Sequence, residues 1–228
     1  MGLTVYGIVA SRASRTLWML EELGVAYEHV PQDYKNKATR TDQFRALNPN
    51  GHIPVLLDDE IVVWESMATT LYLARKFPGE LGARNLAEEA EILRWTFWVV
   101  NECEKDALQV LFHRVVMEAS RRDESVARQA EKRLTVPLTI IDAHLASRQW
   151  LAADRFTVAE VNVASVLAWA RAMSDFAGQF PHLADWLTRC LARPANRRVR
   201  DLARQEKTAD DTAGKTSDQP GNPSQETA

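Results

Sequence analysis

The segment NPNGHIPVL, residues 48–56, sets Pro54 where an apolar run would otherwise start a strand. Proline has no amide hydrogen, so it must stand at a strand's first position or at a bend. Either way, the main chain at Ile53 is held open there. Farther along, Trp64-Glu65-Ser66 puts a carboxylate and a hydroxyl side by side at a helix start. Upstream, Ser11 falls where a β-rich stretch gives way to helical spacing. A hydroxyl there, with the helix's N-terminal amides behind it, can donate to an anion. Ser14, three residues on, belongs to the first helical turn and reads as a cap, and Tyr6 lies within the strand itself. Ser11 is the favoured donor of the three. No G-x-S-x-G elbow or sequence-placed histidine makes it a nucleophile. Cys103 and Cys190 are far apart in helical pattern, which points to neither a disulfide framework nor a thiolate metal site.

Composition narrows the partners. With 228 residues, 46% of them apolar, the chain can build two modest domains. A net charge of -3 supplies no overall field for nucleic acid or an anionic membrane, so small molecules or proteins are the expected partners. The opening MGLTVYGIVASR has no basic region ahead of a long apolar stretch, and Tyr6 breaks a myristoylation pattern. No apolar run spans a bilayer, and a cytoplasmic location is expected. The arginines between Arg189 and Arg204 read as a solvated helix face.

Periodicity places the elements. Residues 3–9 and 26–30 read as strands, with a helix over 15–23 that stops at Gly24. Strand, helix and strand in that order imply a right-handed crossover and parallel pairing. A polar loop, 32–47, carries a short helix at 42–47; Val55–Leu57 and Ile61–Trp64 flank an acidic turn, and 67–77 is helical. From residue 87 only helical spacing remains, over 87–119, 124–147 (with Pro137 inside), 157–173, 183–192 and 195–205. Phe156-Thr157-Val158-Ala159-Glu160-Val161 is a capping box with a hydrophobic staple. The Trp95, Phe97, Trp98 cluster reads as core or domain interface. Domains of 1–80 and 87–205 joined by a linker at 81–86 are expected. From Glu206 to Ala228 there is no Leu, Ile, Val or aromatic residue, so that stretch reads as a disordered tail.

This pattern resembles the glutathione transferase superfamily over residues 1 to about 205. NPNGHIPVL resembles the stretch before that family's cis proline. Glu65-Ser66 follows at the spacing of its Glu-Ser or Gln-Ser pair. Ser11-Arg-Ala-Ser-Arg15 followed by LWMLEELGVAYE is similar to theta-like bacterial members with a catalytic serine, and FTVAE resembles the capping motif, with Glu160 where Asp is usual. The resemblance implies an α/β thioredoxin-like N-terminal domain (βαβαββα), an all-α C-terminal domain and a homodimer.

It also implies glutathione as co-substrate, with no metal. Ile53, beside a cis Pro54, would pair with the cysteinyl main chain in a miniature of strand addition. Glu65 would accept from the γ-glutamyl ammonium and Ser66 would donate to its carboxylate. Arg40 and His52 occupy the approximate positions for the glycyl carboxylate. Taken alone, Pro54 is an edge-strand start, Glu65-Ser66 a helix start, and His52 and His113 ordinary surface or packed residues. Ser11 would stabilise the thiolate; Ala10 stands where cysteine-type relatives place their thiol, which argues against mixed-disulfide chemistry. Asn101, Glu104, Leu108 and Phe112, spaced by three or four, with Trp169, would line an interdomain cleft for a hydrophobic electrophile. Glutathione-dependent peroxidase or dehalogenase chemistry and a non-catalytic binding module remain as alternatives.

Overall fold

The computed structural model describes residues 2–35 and 37–216. Strands β1 (Leu3–Tyr6), β2 (Tyr27–Val30), β3 (Val55–Asp58) and β4 (Ile61–Trp64) form one sheet in the order β2-β1-β3-β4. β1 runs parallel to β2 and antiparallel to β3, and β3 and β4 are the expected hairpin. Parallel pairing needs a crossover, which helix α1 (Ala13–Leu23) supplies. It ends at Gly24, whose left-handed φ of 64° lets its N–H return to Leu20 O. Helix α2 (Asp42–Leu47) is capped by Thr41, and α3 (Ser66–Lys76) closes the first domain. The order is the expected βαβαββα.

In the second domain, α4 (Leu86–Trp98), a wide π-helical turn at Val99–Glu104, α5 (Lys105–Leu111) and another at Phe112–Val116 follow without a break. Uniform spacing over 87–119 gave no sign of these two wide turns. Helix α6 (Glu124–Leu145) contains Pro137 without ending there, and Asp123 caps it. α7 (Val158–Ala170) is apolar on nearly every side and buried through most of its length, as a central core helix must be. Its capping box is present: Glu160 Oε2 accepts the Thr157 N–H and hydroxyl, both at 2.7 Å, and Oε1 accepts Leu151 N–H at 2.6 Å. Burial pushes the Glu160 carboxyl upward against the pull of those donors. Helices α8 (Phe176–Gln179), α9 (Pro181–Leu191) and α10 (Pro194–Thr216) complete the domain.

The tail expectation needs correcting. α10 continues through Thr216, ten residues beyond Glu206, and 217–228 lie outside the described residues. Nor are the nearby arginines simply solvated: Arg193 makes two 2.7 Å hydrogen bonds to Glu22 on α1, and Arg198 pairs with Glu21. Trp95 is buried, edge-on to Trp98 at 5.1 Å, whereas Phe97 is 60% exposed and belongs to no core.

One arginine clamps the linker. Arg155 donates to Glu80 O at 2.9 Å, to Gly82 O at 2.7 Å and to both Glu88 carboxylate oxygens, at 3.0 and 2.7 Å. Its hydrogen bonds, with Arg84 N–H, hold the Glu88 carboxyl down at about 2, against an ordinary 4.5. A carboxyl depressed on folding stabilises the fold above its unfolded value and loses that contribution as pH falls toward its folded value. Urea unfolding followed between pH 4.5 and 2 should therefore show a shallower loss of stability for Glu88→Gln than for the unaltered chain. Parallel losses in the two proteins would show that the clamp carries no acid sensitivity.

Candidate active site at the domain boundary

Gly7, just past β1, sets the geometry. Its φ is 138°, and a Cβ built there would lie 2.8 Å from Ala13 Cβ and 3.1 Å from Ile53 Cβ. Only glycine lets the loop between β1 and α1 lie this close to Ile53. The Ile53-Pro54 bond is cis. Pairing in the sheet begins one residue later, at Val55, opposite Tyr6 and Trp64. Among the described residues, the main-chain N–H and C=O of half-buried Ile53 make no hydrogen bond within the chain. Such groups need a partner, here water or a ligand.

Ser11 lies on the loop that packs against Ile53. Its hydroxyl donates to Ile8 O at 2.6 Å and accepts Ala13 N–H at 3.1 Å. Ser14 is inside the first turn of α1 and donates back to Ser11 O at 2.8 Å. Tyr6 sits within β1, its ring edge-on to Phe44 at 6.3 Å.

Ser66 is buried at the N-terminus of α3, and its Oγ accepts from Arg15 Nη1 at 3.1 Å. The preceding residue, Glu65, is exposed with φ 72° and ψ 117°, a conformation costly for a side chain that carries a Cβ. Backbone held in such a region belongs to sites where the surroundings over-determine it. Arg40 is exposed, with its Cδ and Nη1 each 3.6 Å from where a Gly51 Cβ would stand. His52, next in the chain, is exposed, and its carbonyl accepts from Asn48 Nδ2 at 2.8 Å. Arg40 therefore lies beside Gly51, which precedes His52 and Ile53 in the chain. His113 is an ordinary structural residue whose Nδ1 accepts Asp123 N–H at 3.0 Å.

On the helical side, Asn101 is exposed, while Leu108, Phe112 and Trp169 are half-buried. Glu104 departs from its expected role. Its Oε1 takes Arg12 Nε at 2.6 Å and Arg15 Nη2 at 3.0 Å, so it is spent across the domain boundary and does not face an electrophile. The π-helical turn at 99–104 breaks the three-residue spacing that grouped it with Asn101. Burial works to raise Glu104, but the Arg15 and Arg12 guanidiniums outweigh it and hold the carboxyl low. Burial also lowers Arg15, with Glu104 opposing. Both guanidiniums lie against Trp169, 5.2 Å from its ring centroid for Arg15 and 5.9 Å for Arg12. The sequence reading missed Arg12 and Arg15. The available signal was Arg15 itself, a cation three and four residues before Trp18 and Met19 and so on their helix face.

Two family models cover most of the chain: "Glutathione S-transferase, N-terminal domain" matches residues 1–75 and "Glutathione S-transferase, C-terminal domain" matches 105–194. The chain belongs to the glutathione S-transferase family. It is 32% identical to "Glutathione S-transferase 3" of Zea mays, over 85% of this chain and 90% of that one. It is 30% identical to "Probable glutathione S-transferase GSTF2" of Oryza sativa subsp. japonica, over 87% and 95%. Among solved structures, the glutathione-bound theta class glutathione S-transferase of Xanthomonas axonopodis pv. citri superposes with a TM-score of 0.80 at 30% identity. That match covers 87% of this chain and 97% of the other.

The family fold isolates the cost of Glu65. Backbone strain of about 1–3 kcal/mol exceeds the roughly 0.4–1 kcal/mol that a glycine adds to unfolded-state entropy. Glu65→Gly should therefore raise stability by about 1 kcal/mol in denaturant titration; a loss of stability would show that the conformation carries no strain.

Proposed function

We propose that this protein conjugates reduced glutathione to electrophilic, mostly hydrophobic small molecules, as a cytoplasmic, serine-type, theta-like enzyme of detoxification. The observation that carries this reading is the unpaired main chain of Ile53 beside the Ser11 loop. An extended cysteinyl residue would pair with Ile53, next to Pro54, and its sulfur would then point at the start of α1. Glu65 accepts from the γ-glutamyl ammonium. Ser66, at a helix N-terminus with Arg15 behind it, receives the γ-glutamyl carboxylate. Arg40 and His52 take the glycyl carboxylate.

Ser11 carries the chemistry. A free thiol is mostly protonated at neutral pH, and the thiolate is the nucleophile. The Ser11 proton rests on Ile8 O, and an anionic sulfur is the stronger acceptor, so the proton turns to it. One hydrogen bond to a charged group contributes about 1.5–3 kcal/mol, a shift of roughly one to two units in the thiol pKa. The electrophile enters between this loop and the helical wall of Asn101, Leu108, Phe112 and Trp169.

Ser11→Ala should lower the turnover of a chlorinated nitrobenzene about tenfold to a hundredfold near neutral pH while leaving retention on glutathione resin unchanged. Full activity would remove Ser11 from the mechanism, and failure of the unaltered protein to bind the resin would overturn the whole reading.

The surface supports a homodimer. β4 exposes Ile61, Val62 and Trp64; α4 and the turn after it expose Leu93, Phe97 and Val100; α6 exposes Val136 and Ile140. Scattered apolar residues are ordinary, but three elements each carrying several are what a homodimer would cover. Light scattering should give twice the chain mass for the unaltered protein and the single chain mass for Phe97→Asp; a monomer before substitution would refute the dimer.

A further inference from the structure

The loop that carries Ser11 is held partly by a residue far away in the sequence. Gly7 N–H reaches Val30 O at 2.9 Å and Ile8 N–H reaches Gln32 O at 3.2 Å, both within the first domain. Val9 N–H finds no main-chain acceptor there. It donates instead to the Glu206 carboxylate on α10, Oε2, at 2.8 Å. Glu206 Oε1 lies 3.5 Å from His29 Nε2, which is itself 2.9 Å from Gly7 O. Glu206 thus grips the strand-to-helix loop directly at Val9, with its other oxygen beside His29 on β2.

Val9 N–H and Ile8 C=O are the two ends of a single peptide group. A trans peptide is planar, with its N–H and C=O pointing in opposite directions. One end is pinned by Glu206, and the other accepts the Ser11 hydroxyl at 2.6 Å. We propose that Glu206 is a positioning residue: by gripping the Ile8–Val9 peptide it fixes the orientation from which Ser11 presents its proton to the glutathione sulfur. Val9 is buried, so without Glu206 its N–H would be left unsatisfied and the loop would shift to find water. The titratable and charged groups around the loop are His29 and Glu206 on the sheet side, and Arg12, with Arg15 and Glu104 behind it, on the helix side.

The inference rests on the glutathione reading, and the test separates the two. The pH at which bound glutathione is half ionised is followed by thiolate absorbance, with glutathione affinity measured by calorimetry. Glu206→Ala should raise that midpoint by about one unit, or about tenfold less thiolate below it, with little change in affinity. Glu206→Gln, which keeps an acceptor oxygen in place, should restore the unaltered midpoint. Amide exchange in the empty protein should quicken over residues 7–12 in Glu206→Ala alone. An alanine variant with unaltered midpoint and exchange, or a glutamine variant as impaired as alanine, would overturn the positioning role. If the unaltered protein gives no heat with glutathione, the functional reading fails instead, and the exchange measurement still decides whether Glu206 grips the loop.

Discussion

Everything at the site depends on how near the main chain at Gly7 comes to Ile53. The sheet delivers β1 and β3 side by side, but side chains at the end of β1 would normally push the following loop away from the start of β3. With no Cβ at Gly7, Ala13 and Ile53 close on it from two sides. The start of α1 therefore sits over a residue whose backbone the sheet does not use. A dipole and hydroxyl from one element and an unpaired N–H and C=O from another then converge on a single small volume.

Keeping that convergence fixed falls to α1, which is held on both sides. Toward α3, Thr16 and Thr69 share a buried hydroxyl contact at 2.6 Å. Toward the helical domain, Arg15 meets Glu104 and Glu22 meets Arg193, whose guanidinium also lies 3.9 Å from the Phe156 ring centroid. α3 is tied across the boundary in the same way, by Thr70 to Asn162 at 2.7 Å and Asn162 to Thr96 at 3.1 Å. Apolar contacts alone would tolerate sliding of one domain over the other. Buried polar pairs do not, because a displaced partner leaves a desolvated donor or charge behind. Their net contribution to stability is small, and what they supply is a single orientation of the cleft.

Much of the fold was legible because its signals are local. Gly24, Pro54, the acidic turn before Ile61 and the Thr157–Glu160 box each act within a few residues, and each appears where its chemistry placed it. The helix start at Ser66 and the open main chain beside Pro54 were readable for the same reason. What the sequence hid was pairing over long separations. Glu104 carries the same letter whether it faces a substrate or an arginine nearly ninety residues away. The wide turns at Val99–Glu104 and Phe112–Val116 were equally hidden, since an inserted residue in a helix leaves no compositional trace.

α10 shows where an argument from composition stops short. Counting apolar residues beyond Glu206 measures what burial can contribute to ordering, and that is close to nothing. A helix already started needs far less, since each added residue gains a hydrogen bond for two fixed dihedrals, whereas a new helix must first form its nucleus. The expensive step is taken earlier, where Ala195 and Val199 are buried and Arg193 and Arg198 are anchored to Glu22 and Glu21. From that anchored end the polar continuation extends at little cost, and it carries Glu206 to Val9. A segment with no core of its own can thus still deliver a charge to a distant loop.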